Sequence, residues 1–69
     1  MIELLITSPP DRERVVVELW TENVQLAEVS NEDGTLRIEI YAEPGTNRVV
    51  VPVDELEEAL RRSRRNLMS

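Results

Sequence analysis

The sequence predicts an α+β domain, in which an antiparallel β-meander of four to five strands carries one C-terminal helix packed on one face. Short runs of alternating apolar residues are separated by turns rich in Pro, Asn and Gly, a pattern typical of sequential antiparallel strands. Near the C-terminal end, apolar residues recur every three or four positions, which indicates one amphipathic helix. With 69 residues, the chain is expected to form a single domain over 1–69.

The first two strands are separated by a proline-rich connection. Met1–Thr7 alternates apolar residues and ends before Pro9 and Pro10, because proline cannot donate a hydrogen bond to a sheet ladder. The second predicted strand is Val15–Thr21. It places Val15, Val17 and Leu19 on one face and Val16, Glu18 and Trp20 on the other.

The third strand is the least regular of the predicted set. Glu22-Asn23 is a plausible two-residue hairpin turn, since Asn tolerates the left-handed conformation. In Val24–Ser30, one face holds Val24, Leu26 and Glu28, and the other holds Gln25, Ala27 and Val29. Neither face is purely apolar, so a bulge is expected midway. Asp33-Gly34 then predicts a second hairpin.

The fourth strand, Thr35–Tyr41, has the clearest alternation. Leu36, Ile38 and Ile40 are expected to face inward, whereas Arg37, Glu39 and Tyr41 face outward. A turn at Pro44-Gly45 and a short β-branched strand at Arg48–Val51 are expected to follow.

The C-terminal helix is predicted from Asp54, as N-cap, to about Asn66. Glu57 stands three positions after Asp54, as in a capping box. The apolar stripe of this helix consists of Val53, Leu56, Leu60 and Leu67, with the small residues Ala59 and Ser63 beside it. Acidic residues begin the helix and arginines end it, which matches the helix dipole. Ion pairs are expected between Glu57 and Arg61 and between Glu58 and Arg62.

The composition argues against an enzyme. The chain has no Cys and no His, which excludes a disulfide, a Cys/His zinc site, a thiol nucleophile and a histidine base. The two glycines lie in separate turns, so no glycine-rich phosphate loop exists. The turn at Asn31–Gly34 could hold a hard cation through oxygen ligands, but its residues are those that a hairpin turn requires. We therefore expect no catalysis, no cofactor, no metal and no small-molecule substrate.

The apolar runs are too short for a membrane protein. The longest contain three residues, whereas a membrane-spanning helix needs about 20. The N-terminal residues also lack the basic and apolar regions of a signal peptide. The expected location is the cytoplasm, with no membrane partner.

The net charge of −6 is unevenly distributed. All 14 acidic residues lie within 1–60, whereas half of the eight arginines lie in 61–69. An acidic body favours a basic protein partner over a phosphate backbone, although such charge can serve solubility alone. The cluster Arg61–Arg65 leaves nucleic-acid binding as an alternative, but the helix dipole explains it equally.

A candidate binding surface follows from the predicted architecture. One helix covers a strip roughly 10 Å wide, and five strands about 4.8 Å apart are wider than that. The outward face carries the only two aromatic residues, Trp20 and Tyr41. The predicted partner-binding residues are Trp20, Tyr41, Glu18, Glu39, Arg37 and Val16. Alternatively, the two aromatic residues stabilise the sheet by packing across strands.

Three segments carry a resemblance: Pro9–Glu13, Glu39–Tyr41 and Asp54–Leu56. On these the chain resembles small, uncharacterised bacterial single-domain proteins, and in size and acidity it is similar to immunity proteins of bacterial toxin systems. The acidic surface predicts a non-catalytic module that binds a basic protein partner, and the similarity in size and acidity to immunity proteins makes a toxin-neutralising role the most specific form of this hypothesis. The alternatives are a homodimer with no further ligand, formed through the aromatic face, and a nucleic-acid-associated protein using Arg61–Arg65.

Overall fold

The computed structural model describes residues 1–41 and 49–68. In this part of the chain, four antiparallel strands form one sheet in the order β1-β2-β3-β4, and a single helix packs on one face. The predicted α+β meander is therefore confirmed. The elements are β1 (Glu3–Thr7), β2 (Val16–Thr21), β3 (Val24–Asn31), β4 (Leu36–Ile40) and α1 (Val53–Met68).

Both predicted hairpin turns are present. Glu22 and Asn23 have φ values of 48° and 67°, the positive values that a tight turn of type I′ requires. In the second hairpin, Gly34 has a φ of 90°. Its backbone N–H donates to Asn31 Oδ1 at 2.8 Å, so this side chain closes the turn.

A bulge in β3 decides which residues of that strand face the helix. Leu19 pairs with Ala27 and Trp20 pairs with Gln25, so Leu26 is an extra residue on β3. The predicted irregularity is thus confirmed and located. Beyond the bulge, alternate residues of β3 face α1. The buried core consists of Ile2, Val17, Leu19, Ala27, Val29 and Ala59, with Leu4, Leu26, Val51, Leu56 and Leu67 packed around it.

The inner layer differs from the predicted one at β4. Ile38 and Ile40 pair with Val29 and Ala27, which places them on the helix side of the sheet. They nevertheless remain 43% and 71% exposed, because α1 packs on β1, β2 and β3. The expectation that β4 supplies core residues is therefore wrong for these two. Val15 precedes β2 and is also exposed.

Small residues set the orientation of α1. Ala59 and Ser63 are buried against the sheet, whereas Val53 and Leu60, predicted to face the core, are 71% and 38% exposed. The short side chains allow the helix to approach the sheet closely. At the other end of the helix, the amide of Asn31 donates to the carbonyl oxygen of Leu67 at 3.3 Å.

Other helix details also differ from the expectation. The helix begins at Val53, so Asp54 lies in its first turn instead of at the N-cap. Among the described residues, the ion pair within α1 joins Glu58 to Arg61, three positions apart, and neither predicted pair forms.

The predicted fifth strand is not found in the residues that can be described. Residues 49–52 are not in a strand, and the Pro44-Gly45 turn and Arg48 lie outside the described residues. In these same described residues, no helix combines the length and the apolar character needed to cross a membrane.

Candidate functional site

A row of carboxylates crosses the sheet face that points away from α1. Glu18 on β2 pairs with Glu28 on β3, which pairs with Glu39 on β4. Neighbouring strands are about 4.8 Å apart, and like charges directly opposite each other destabilise a sheet. We call this surface the acidic face and define it by Glu18, Glu28, Glu39, Trp20 and Tyr41.

Arg12 supplies positive charge to the middle of this row. Its Nη2 lies 2.8 Å from Glu28 Oε2, and its Nη1 lies 3.7 Å from Glu32 Oε1. The side chains of Arg12 and Glu28 are only 25% and 11% exposed. The connection between β1 and β2 therefore reaches across the sheet and neutralises the central carboxylate.

Sequence reasoning missed both members of this pair. It placed Glu28 with Val24 and Leu26, but the bulge at Leu26 moves Glu28 to the opposite face. Two features of the sequence could have indicated this pair. One is the charged run Asp11–Arg14 in the connection between β1 and β2, and the other is the broken alternation of apolar and polar residues in β3.

Glu18 and Trp20 form a hydrogen-bonded unit at the other side of the row. The indole Nε1–H donates to Glu18 Oε1 at 2.9 Å, and the Thr7 hydroxyl donates to Glu18 Oε2 at 3.4 Å. These bonds hold the half-buried indole beside the carboxylate. Glu39 is exposed and forms no ion pair with any described residue.

Tyr41 directly follows β4 and lies close enough to the carboxylates of the acidic face for their charges to affect it. Its backbone N–H donates to the Leu26 carbonyl at 2.9 Å. Burial raises the pKa of the Tyr41 phenol above its usual value, and the negative charges of Glu28 and Glu39 raise it further, while Arg12 opposes them. Because β3 separates Tyr41 from Trp20 on β2, the two aromatic residues are not a direct cross-strand pair.

The remaining two predicted site residues have different environments. Val16 is fully buried, so it supports the sheet and offers no surface to a partner. Arg37 is exposed, and its guanidinium forms a forked pair with Asp33, with Nη1–Oδ1 and Nη2–Oδ2 distances of 2.8 and 3.0 Å. Hydrogen bonding to Arg37 lowers the pKa of Asp33. The charge of Arg37 is thus largely offset.

A shallow depression lies beside Trp20. It has a volume of about 280 Å³ and is lined by Glu3, Leu4, Leu5, Trp20, Glu22 and Asn23. Two carboxylates next to an indole form an environment that suits a guanidinium or ammonium group, through charge and through contact with the aromatic ring.

The described residues contain no group of three acidic side chains arranged to hold a metal ion. Arg61, Arg64 and Arg65, spaced three and four positions apart, lie on one side of α1, and Arg61 is paired with Glu58. The chain matches no protein family, no curated protein and no solved structure with which it was compared.

Proposed function

We propose that this chain is a non-catalytic protein-binding module that uses the acidic face to engage a basic protein. The observation that carries the proposal is the row Glu18, Glu28 and Glu39, three carboxylates in direct register. Such a row opposes folding. Features that work against the fold are expected where a protein has a function.

The charge balance of the row favours a cationic partner. Arg12 pairs with Glu28 at 2.8 Å, while Glu18 accepts only neutral hydrogen bonds among the described residues. An arginine or lysine of a partner placed near Glu18 or Glu39 relieves the repulsion that remains. The attraction that binds a basic partner would therefore also reduce the repulsion between the carboxylates of the sheet.

The aromatic residues add contact area to this charge. Trp20 borders the depression that contains Glu3 and Glu22, and Tyr41 is exposed on the far side of β3. Trp and Tyr are among the residues that are enriched where binding energy is concentrated at interfaces. Leu5, which is exposed and pairs with Glu18, extends the apolar part of the surface.

The most specific form of this proposal is a toxin-neutralising protein of the immunity type. The net charge of −6 suits rapid, electrostatically steered association with a basic protein. Such a complex is expected to weaken as salt increases, because added ions screen exposed charges.

The direct test uses the purified basic proteins encoded beside this chain's gene as probes. Trp20 is the sole tryptophan of this chain, so, with the fluorescence of the partner alone subtracted, changes in tryptophan emission monitor the acidic face. We expect saturable binding at low salt and a Kd that rises with salt. If none of the basic neighbours binds at low salt, the toxin-neutralising form of the proposal is wrong.

Matched charge changes test whether the acidic face is the contact surface. Glu18→Gln combined with Glu39→Gln is expected to weaken binding about 10-fold or more, equivalent to about 1.4 kcal/mol. Asp54→Asn combined with Glu58→Gln removes the same charge from α1 and is expected to change Kd less than about 2-fold. Equal losses in the two variants would show that only net charge matters, contrary to the proposal.

A further inference from the structure

The strand β4 forms one edge of the sheet, and its outer side is open. Among the described residues it pairs with β3 alone, and residues 37–40 are exposed. Natural proteins commonly protect such an edge with proline, a bulge or a charge on the inner face, because a further strand can bind to it. In β4 the helix-side residues are Leu36, Ile38 and Ile40, and its register with β3 is continuous. The strand therefore has none of these three protections.

The direction of the backbone groups shows which residues of β4 can bind a further strand. The N–H of Tyr41 donates to the Leu26 carbonyl on β3 at 2.9 Å, and bonding positions alternate along an antiparallel strand. The odd-numbered residues of β4 therefore bond to β3. The even-numbered residues, Leu36, Ile38 and Ile40, direct their N–H and C=O groups toward the open side.

Charge selects one register for an antiparallel pair of β4 strands. Three registers join even-numbered residues and keep most of the strand paired, and they are centred on Arg37, Ile38 or Glu39. The first places two arginines opposite each other and the third places two carboxylates opposite each other, and like charges in these positions are destabilising. In the register centred on Ile38, Arg37 of each copy lies opposite Glu39 of the other.

The helix side of the strand is also complementary to itself in this register. Ile38 lies opposite Ile38 of the second copy, and Leu36 lies opposite Ile40 of the second copy. Ile38 and Ile40 are 43% and 71% exposed in the single chain, so each gains an apolar neighbour across the new strand pair. A two-fold interface requires self-complementarity of this kind.

Both charged residues of β4 are available for this pairing. Among the described residues, Glu39 has no ion-pair partner. Arg37 contacts Asp33 through two of its N–H groups, but a guanidinium has five N–H donors, and both side chains of that pair are more than half exposed. Arg37 of a second copy can therefore supply the positive charge that Glu39 lacks.

The opposite edge of the sheet is less suited to self-association. The strand β1 ends at Thr7, and Pro9 and Pro10 follow closely. Glu3 is its single charged residue, so two antiparallel β1 strands would offer no pair of opposite charges.

We propose that two copies of this chain pair antiparallel through their β4 edges, centred on Ile38, and form one continuous eight-stranded sheet. The two-fold axis is perpendicular to the sheet, so the copies lie side by side. Because α1 packs on β1, β2 and β3, helices centred near β2 are separated by five strand spacings, about 24 Å. This distance exceeds the helix diameter of about 10–12 Å, so the helices do not collide. Glu18 and Trp20, two strands away from the edge, remain free.

The oligomeric state of the whole chain tests this proposal. Sedimentation equilibrium between about 1 µM and 1 mM, the range in which weak complexes dissociate, is expected to show a monomer–dimer equilibrium. Ile38→Pro removes an N–H that points to the open side and no hydrogen bond to β3, so it is expected to raise the dissociation constant about 10-fold or more. Circular dichroism confirms that the variant is folded. A chain that stays monomeric throughout this range overturns the proposal.

Charge reversal tests the register without changing the backbone. Glu39→Arg places arginines opposite each other and is expected to weaken the dimer, as the reverse change Arg37→Glu does with carboxylates. The double variant Arg37→Glu/Glu39→Arg restores opposite charges across the two-fold axis and is expected to recover dimerisation. Glu57→Arg makes the same charge change on α1, away from the interface, and is the matched control that should leave the dimer intact.

A cross-link measures the register directly, because the chain has no cysteine of its own. In the proposed dimer the two Ile38 Cα atoms are about 5.5 Å apart, within the range that a disulfide spans. Ile38→Cys is therefore expected to form a disulfide-linked dimer under mild oxidation. Ile40→Cys is the control, because its two copies are displaced by four residues, about 14 Å, and should cross-link much more slowly.

Two results would overturn the proposal even if a dimer forms. One is a dimer in which Ile38→Cys cross-links no faster than Ile40→Cys. The other is a dimer lost in Trp20→Ala and retained in Ile38→Pro, which would place self-association on the acidic face. All these measurements use the chain alone, so their outcome is independent of whether a basic protein binds the acidic face.

Discussion

At the scale of single residues, Arg12 has the largest effect on the acidic face. Its guanidinium lies 2.8 Å from Glu28 in a partly buried position, where a charge-assisted hydrogen bond contributes about 1.5–3 kcal/mol. The pair of Arg37 and Asp33 is exposed, and such pairs add little to stability because solvent screens their charges. Arg12 thus makes the carboxylate row compatible with folding, whereas Arg37 mainly holds its own turn.

The pKa of Tyr41 can be measured to show how far Arg12 offsets the negative charge of the carboxylates on the acidic face. Because Arg12 opposes the carboxylates that raise the pKa of Tyr41, Arg12→Gln is expected to raise that pKa further. Arg37→Gln is the matched control and should leave it unchanged. The chain has one tyrosine, so tyrosinate absorbance during a pH titration reports this pKa alone. A lower pKa in Arg12→Gln would contradict the placement of Arg12.

The same shift determines how Tyr41 links stability to pH. The folded-state pKa is raised above the value of about 10 expected in the unfolded chain. The contribution of Tyr41 to stability is therefore complete below about pH 10 and is lost as the pH rises through the folded-state pKa.

At the scale of elements, the bulge in β3 decides the composition of both faces. With one extra residue at Leu26, Ala27 and Val29 face the helix and Glu28 faces away. A one-residue shift in a strand exchanges its two faces. Broken alternation in the sequence indicated that a bulge exists, but its position depends on the pairing with β2.

The turn between β2 and β3 leads to a prediction about stability. Glu22 has a φ of 48°, a conformation that Asn and Gly adopt more readily than Glu. Glu22→Asn with Asn23→Gly is expected to raise the free energy of unfolding by about 1 kcal/mol, measured by urea denaturation. Glu22→Gln removes the same charge without relieving the backbone and should have little effect. Equal stabilisation by both variants would contradict the backbone explanation.

At the scale of the whole molecule, one helix covers only part of the sheet. The core draws on β1, β2, β3 and α1, while the helix side of β4 remains exposed. Domains of this size bury only about 60% of the surface of the unfolded chain, so each core side chain carries a large share of the stability.

Alanine substitutions at two strand positions that both face the helix side of the sheet should therefore differ strongly in their effect on the free energy of unfolding. Leu19→Ala removes a fully buried side chain and is expected to lower the free energy of unfolding by about 2–5 kcal/mol. Ile40→Ala, at a 71% exposed position, should cost less than about 1 kcal/mol. Urea denaturation of dilute protein makes the comparison, because dimerisation would add to stability at high concentration. Similar losses at the two sites would contradict the position of α1.

Local patterns in the sequence by themselves determined the first four strands and the helix that follows them, both hairpin turns, and the outward direction of Trp20 and Glu18. These features depend on residues close together in the chain. Only the tertiary structure decided that α1 lies on Ala59 and Ser63, that Ile38 and Ile40 stay exposed, and that Val16 is buried. It also decided that Arg12 reaches Glu28, sixteen positions away. The physical reason is that helix placement, strand register and long-range ion pairs depend on how distant segments fill space together.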